Sequence, residues 1–510
     1  MRPRTRGGSV SFWGGVSLGL MLAGPAAHAD GDLNRVQHII IAMQENHSFD
    51  NYFGVLGYIP NTPYHGGRRL KGCDPTDNTC VDGLTCKRRS TTGALVCRNR
   101  NPGNFSGAVR SFHEARFCIG PDLDHSWVGS HEESNLKRPT VTLRSSPNNG
   151  FVRVNAETEG PDQAFDHDTM GYYDDNDLPF YYELAETFAI SDRYFCAVLG
   201  PTFPNRAYLL AGTSFGHLTT GETILGGGYK PVTGTIFNRL DAAGVSWTDY
   251  FSDFPQTAVF HASPEHWKPL SSFAADAAAG ALPAVAFVDG SALVDQSING
   301  SSYETDEHPP ADVRAGEYVI SQVVTALRNS PSWSDSVLFL TYDEHGGYYD
   351  HVKPPPASQG GLRTPDGIFP GLCADASNLP ASAQPGDGAN CAQSRGVDAP
   401  GLCTDFVADG PYPRNCPAFD QLGFRVPLLA VSPFSKPHYV SHVVNSHASF
   451  LALLEKRFGL PSLTARDANA DDFEDMFDFD NAPSRDATFG AAPLPQQPPA
   501  FNPGDRGCPF

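Results

Sequence analysis

The chain has 510 residues, 40% of them hydrophobic, with 36 Lys and Arg against 57 Asp and Glu and a formal net charge of −21 at pH 7. An acidic balance with no run of clustered Lys and Arg argues against a nucleic-acid partner and against electrostatic docking on anionic lipid, and it serves solubility. The length suits one large α/β domain with insertions, or two domains.

Residues 1–29 open with a basic start, run apolar from Phe12 to Leu22 and close on Ala27-His28-Ala29. This is the pattern of a secretory signal cleaved after Ala29, too short for a membrane span. With no adjacent arginine pair the general secretion route is favoured, so a secreted or periplasmic protein is expected. No later stretch approaches the ~18 consecutive apolar residues of a transmembrane helix, and no transmembrane anchor is expected.

Residues 30–480 are expected to form the main domain. Its first strand, Val36 to Met43, is apolar on both faces, as in the middle of a covered parallel sheet. Glu45 and Asn46 follow its carboxyl end. That is the edge where open α/β sheets bind ligands, and a carboxylate beside an amide oxygen there suits a hard cation or a phosphate. Residues 64–120 carry Cys73, Cys80, Cys86, Cys97 and Cys118 with little periodicity, and read as an inserted excursion. Irregular spacing without a CxxC pair favours disulfide-stapled loops over zinc. The odd total of 11 cysteines leaves at least one thiol unpaired or paired between chains.

In GPTFPNR, Gly200 to Arg206, a glycine and two prolines force a turn, and Asn205 to Ala211 has helical character, which puts Thr202 near a helix start. Backbone amides there bind anions, and a hydroxyl next to a metal ion can act as a nucleophile toward phosphorus. An ordinary N-terminal cap is the competing reading. Strands are predicted at Val245–Tyr250 and Ala284–Val288, then a helix at Val313–Arg328 and a strand at Val337–Tyr342. The last of these runs into Asp343, Glu344, His345 and, further on, His351. Either acidic cluster alone could cap a helix or a turn. Two strands delivering oxygen and imidazole groups to one edge read as a single metal site.

Residues 353–420, rich in Pro, Gly and Asp, hold Cys373, Cys391, Cys403 and Cys416 and read as a second excursion. Both excursions follow a ligand strand and are expected to rim the pocket. A strand at Val426–Val431 and a helix at Ala448–Phe458 complete an alternation that implies an α/β fold, a mostly parallel sheet with helices on both faces. The Pro- and Ala-rich tail, residues 481–510, carries Cys508.

ENHSFDNYFG, GPTFPNR, DEHPP (Asp306 to Pro310) and TYDEHGGYYDH occur in that order. Together they resemble the phosphoesterase family of bacterial phospholipases C, plant non-specific phospholipases C and acid phosphatases, within the alkaline-phosphatase-like superfamily. The likeness spans residues 35–460. It implies that Glu45, Asn46, Asp343 and Glu344 ligate one divalent metal ion and that Thr202 is the metal-bound nucleophile. It also implies that His125, in DLDHSW, and His308 contact phosphate or transfer protons. His345 is a further catalytic candidate, and His351 could orient Asp343 or Glu344 from behind. An all-oxygen ligand set favours calcium, magnesium or manganese over zinc.

The expected function is hydrolysis of a phosphoric ester through a phosphothreonine, with a phospholipid or a small phosphate ester as substrate. A phospholipase C releasing diacylglycerol is the first reading and an acid phosphatase the second. A binding protein that holds a phosphorylated ligand in the same cleft is the alternative of another class. The longer phosphocholine-preferring bacterial enzymes carry a twin-arginine signal and C-terminal β-domains, so a strict phosphocholine preference is not expected here.

Overall fold

The structure, a computed structural model, describes residues 32–480 apart from 68–71, 104–106, 121, 136–146, 160–166, 215–216, 221–230, 232, 292–295, 299–300 and 358–417. The expected signal, most of the second excursion with its cysteines, and the C-terminal tail lie outside these residues.

The central sheet is built from β1 (His38–Gln44), β2 (Ala189–Ser191), β3 (Trp247–Phe251), β4 (Trp267–Pro269), β5 (Val285–Asp289), β6 (Ser336–Tyr342), β7 (Leu428–Val431) and β8 (Val440–Ser441). The strands lie in the order β4-β3-β5-β1-β6-β7-β2-β8. The run from β4 to β6 is parallel throughout, β7 is antiparallel to both of its neighbours, and β2 pairs in parallel with β8. Ile39 to Met43 are each at most 2% exposed. Neighbouring residues on a strand point to opposite faces, so both faces of β1 are covered, as its unbroken apolar run requires.

The helices that matter for the site are α1 (Phe49–Phe53), α2 (Trp127–Glu133), α3 (Phe151–Glu159), α4 (Pro179–Thr187), α5 (Thr202–Ala211), α6 (Ile236–Ala243), α7 (Phe273–Ala278), α8 (Val313–Arg328) and α9 (Ala448–Phe458). α8 starts where the Asp312 carboxylate accepts the Arg314 amide, and it buries Gly316, Ile320, Val323, Val324 and Leu327, one face at helical spacing. Every residue of α5 is buried, and α5 lies against α9. The main apolar core runs from Leu33 to Phe479 in the chain. Among the described residues no helix is long and apolar enough to cross a membrane.

The first excursion is stapled by Cys73–Cys80 and Cys86–Cys97, and Cys118 is also disulfide-bonded. Polar contacts fasten it to the domain. The Asp82 amide donates to Asp192 Oδ2, and Arg193 Nη2 lies 2.6 Å from Asp82 Oδ2. Among the described cysteines, Cys196 is a free, buried thiol.

Candidate active site

Parallel register alone gathers the acids. Gln44 pairs with Tyr342 and Met43 with Asp289, so β5, β1 and β6 end level with one another. Glu45 and Asn46, Asp289, and Asp343 and Glu344 therefore emerge side by side at the carboxyl edge. The Asp343 amide donates to the Gln44 carbonyl (3.0 Å), and the Glu45 amide to the Asp306 carbonyl (2.8 Å), which draws in the loop before α8. Asn46 takes the left-handed conformation at φ 66°, which asparagine tolerates better than most side chains. Asp343 Oδ1 accepts from the Asn46 amide (3.3 Å) and the Glu344 amide (2.7 Å), fixing the two loops to each other.

That approach depends on Gly346. It sits at φ 60°, and a Cβ there would lie 2.0 Å from the Asn46 carbonyl oxygen. Neither the backbone angle nor rigid neighbouring backbone accommodates a side chain. Gly346→Ala is expected to destabilise the fold by at least ~2 kcal/mol, measured by denaturant unfolding. An unchanged midpoint would show that the loops separate without cost.

Thr202 is the first residue of α5, and Arg206 lies one turn later on the same helix face. The Arg206 guanidinium reaches Asp289 Oδ1 (2.9 Å), Glu45 Oε1 (3.2 Å) and Asp343 Oδ2 (3.4 Å). This buried cation fastens the start of α5 to all three strand ends. It does not balance the acids. Burial pushes the carboxyls of Asp289, Asp306 and Asp343 upward, and the Glu45 charge adds to each, while Arg206 works the other way. Glu344 differs: burial raises it, but His125 and His345 outweigh burial and hold it below its usual range.

Three buried oxygens at this edge have no hydrogen-bond partner: Asn46 Oδ1, Glu344 Oε1 and Asp306 Oδ2. Acceptors left unpaired in the interior are costly. Carboxylate and amide oxygens of this kind are the donor type that suits a hard divalent cation.

Behind Glu344 stands His345, 1% exposed, with Nδ1 3.2 Å from Glu344 Oε2 and Nε2 2.6 Å from Glu133 Oε2 at the end of α2. Burial opposes its charge, yet Glu133 and Glu344 raise it to about 9, so it is an imidazolium clamped between two acids. Burial lifts Glu133 itself to about 7. His351 is placed elsewhere. It bonds Asp50 Oδ2 (2.7 Å) and Asp82 Oδ1 (3.4 Å) beside the Arg425–Asp350 pair, and orients those acids rather than Asp343 or Glu344.

His125 and His308 stand edge to face, ring centroids 5.8 Å apart. Each holds its Nδ1 against a backbone carbonyl, Leu123 (2.8 Å) and Pro309 (2.7 Å) respectively. A carbonyl only accepts, so Nδ1 carries the proton and Nε2 is left for chemistry. Asp122 stands between them, 3.7 Å from His125 and 3.8 Å from His308. Burial lowers both imidazoles, but Glu344 and Asp122 raise His125, and Glu45 and Asp122 raise His308, and the net shift of each is upward. A cavity of about 520 Å³ opens here, lined by Asp122, His125, Trp127, Val128, Leu218 and Pro201, the residue before Thr202.

A model of the Phosphoesterase family matches residues 36–461. The chain belongs to that family. Among the relatives of this phosphoesterase is Phospholipase C B of Mycobacterium tuberculosis, 30% identical over 524 residues that cover 94% of this chain and 84% of the relative. Non-specific phospholipase C5 of Arabidopsis thaliana is 29% identical over 471 residues, 88% of this chain and 75% of the relative. Among solved structures, murine ectonucleotide pyrophosphatase/phosphodiesterase 5 superposes at a TM-score of 0.32 with 12% identity, over 59% of this chain and 94% of its own.

The candidate site of this phosphoesterase also brings in residues to which the sequence motifs gave no role. Arg206 stands in GPTFPNR, four residues past Thr202, and helical spacing alone puts the two on one face. Asp289 ends a predicted strand in an acid, the signature read at Glu45 and Asp343 but not applied there. Asp122 lies in the quoted DLDHSW. Glu133 meets His345 across 212 residues of sequence, and no local pattern announces that contact.

Proposed function

We propose that this phosphoesterase is an exported phospholipase C that splits a phospholipid into diacylglycerol and a phosphorylated head group through a phosphothreonine on Thr202. The alignment with Phospholipase C B along 94% of the chain carries the reading. The placement of Thr202 at a buried helix start, tied by Arg206 to the strand-end acids and next to the His125 cavity, supports it. The disulfides of the first excursion are in keeping with an oxidising compartment, as the expected signal requires.

A divalent cation held by Glu45, Asn46, Asp343 and Glu344 would offset charge on the phosphoryl oxygens. Thr202 Oγ1, its proton lost to solvent, attacks phosphorus in line, with the amides of the first turn of α5 facing the anion. The bond to the glycerol oxygen breaks, and His308, entering the step as the imidazolium with Nδ1–H on the Pro309 carbonyl, gives that oxygen its Nε2 proton while His125 holds phosphate oxygens. Water then attacks the phosphothreonine, giving its proton to His308 Nε2, and the head group is freed as Thr202 Oγ1 takes back a proton from solvent. His345 and Glu133 keep Glu344 in place throughout.

The test is turnover of a nitrophenyl phosphodiester against a nitrophenyl phosphomonoester, with diacylglycerol release from phospholipid vesicles alongside. Faster diester turnover and diacylglycerol release are expected. A monoester preference without diacylglycerol makes the protein an acid phosphatase, and no turnover of either makes it a binding protein.

A further inference from the structure

The loop that carries His308 contains an acid for which the proposed reaction has no use. Glu307 lies between Asp306 and His308, fully buried, with its backbone in the left-handed region at φ 73°. Glutamate rarely adopts that conformation, and it persists only where the surroundings enforce it. Here they do so through the side chain. Oε1 accepts from Tyr181 Oη (2.5 Å) and Gln44 Nε2 (3.1 Å), and Oε2 accepts from Tyr52 Oη (2.5 Å) and Tyr342 Oη (2.7 Å). Four donors on two oxygens fill a carboxylate's acceptor capacity. Nothing is left over to bind a ligand.

The origin of those donors gives the network its meaning. Gln44 and Tyr342 are the last, mutually paired residues of β1 and β6, the strands that deliver Glu45 and Asp343. Tyr52 belongs to α1 and Tyr181 to α4. The same loop is also gripped through its backbone: Gln44 Nε2 donates to the Thr305 carbonyl (2.9 Å), and His47 Nε2 meets the Glu307 carbonyl (3.1 Å). α8 leaves room for the carboxylate at Gly316, where a Cβ would come within 2.2 Å of Glu307 Cγ. The Glu307 side chain is thus locked to the strand ends, while the next residue, His308, reaches Asp122 at the cavity mouth.

We infer that Glu307 is a positioning residue: its four-donor lock, two donors from the ends of β1 and β6 and two from α1 and α4, holds His308 at the height where its Nε2 meets the leaving-group oxygen. The inference rests on the proposed role of His308 as proton donor. Glu307 touches no substrate and acts only through its neighbour.

The experiment compares kcat/KM for an ester with a poor alkoxide leaving group and for a nitrophenyl ester, whose anion departs without a proton. Glu307→Gln keeps the size but turns an N–H toward hydroxyl donors. It is expected to lower the ratio of alkyl to nitrophenyl turnover about 10- to 100-fold, through kcat and with KM little changed. In a His308→Ala background it should change the ratio no further, because the two residues act as one unit. Tyr342→Phe, which removes a single donor, should shift the ratio in the same direction by less, and it decides the matter if Glu307→Gln does not fold. Equal losses on both esters, or a ratio that falls further in the His308→Ala background, would overturn the inference. A His308→Ala ratio equal to that of the unmodified protein would overturn it as well, and either result leaves ester hydrolysis by the unmodified protein standing.

Discussion

Thr202→Ala is expected to lose ester turnover by ~10³-fold or more while the protein stays folded. In the proposed reaction the Thr202 hydroxyl forms the covalent intermediate, and without it water must attack from a position the site does not prepare. The fold should be spared for a specific reason. The residue that caps α5 is Pro201, with no side-chain capping bond, so the helix start does not depend on the Thr202 side chain. Its removal should therefore change unfolding free energy by no more than about 1 kcal/mol. Thr202→Ser, which keeps the oxygen, should retain part of the turnover. The measurements are steady-state hydrolysis of a nitrophenyl diester and thermal unfolding by circular dichroism. Near-normal turnover in the alanine variant would remove Thr202 from the mechanism.

Removal of divalent cations is expected to be as damaging. Exhaustive chelation, checked by elemental analysis, should abolish turnover, and calcium, magnesium or manganese should restore it more readily than zinc, since no thiolate is present at the site. Asn46 Oδ1 and Glu344 Oε1, on two of the proposed ligands, have no hydrogen-bond partner to give up. The affinity should also depend on pH in a fixed direction. Burial and Glu45 raise the carboxyls of Asp343 and Asp306, which therefore retain protons to higher pH than ordinary aspartates do. Protons and cation compete for the same oxygens, so cation affinity should fall as pH falls, readable by calorimetry. Full activity after verified removal would refute the metal site.

The sequence carried the strands that form the middle of the sheet, because β1 and β6 are covered on both faces and their side chains leave no ambiguity of period. Their ends were less legible, and the reasons are local. Val36 closes the turn before β1, its amide bonded to the Leu33 carbonyl. Val245 bonds back to the Leu240 carbonyl past the end of α6, and Val426 donates to Tyr194 rather than to a neighbour of β7. An apolar residue serves a cap as well as a strand, so hydropathy cannot separate them. The edge strands β4 and β8, three and two residues long, are too short to carry a period. The reversed direction of β7 depends on where the chain returns from, which no single strand records.

The same limit applies at the site. The acids at strand ends and the helix start could be read, because each follows a strong local pattern. The partners that set their charge could not. Arg206 joins three loops through contacts of 83, 137 and 161 residues' separation, and His351 turned out to face Asp50 across 301.

The free thiol among the described cysteines has one further consequence. Cys196 lies on the segment that leads into Thr202, 1% exposed, with its Sγ against the Val198 carbonyl and Gly423 packed so closely that a Cβ there would meet the sulfur at 2.2 Å. Burial, with Glu344 and Asp343 nearby, keeps it protonated far above neutral pH, so in the closed protein it is shielded and inert. A thiol reagent can reach it only when the chain between β2 and α5 parts from Gly423. The labelling rate of the Cys196 sulfur is therefore a built-in clock for the breathing of the segment that leads into Thr202.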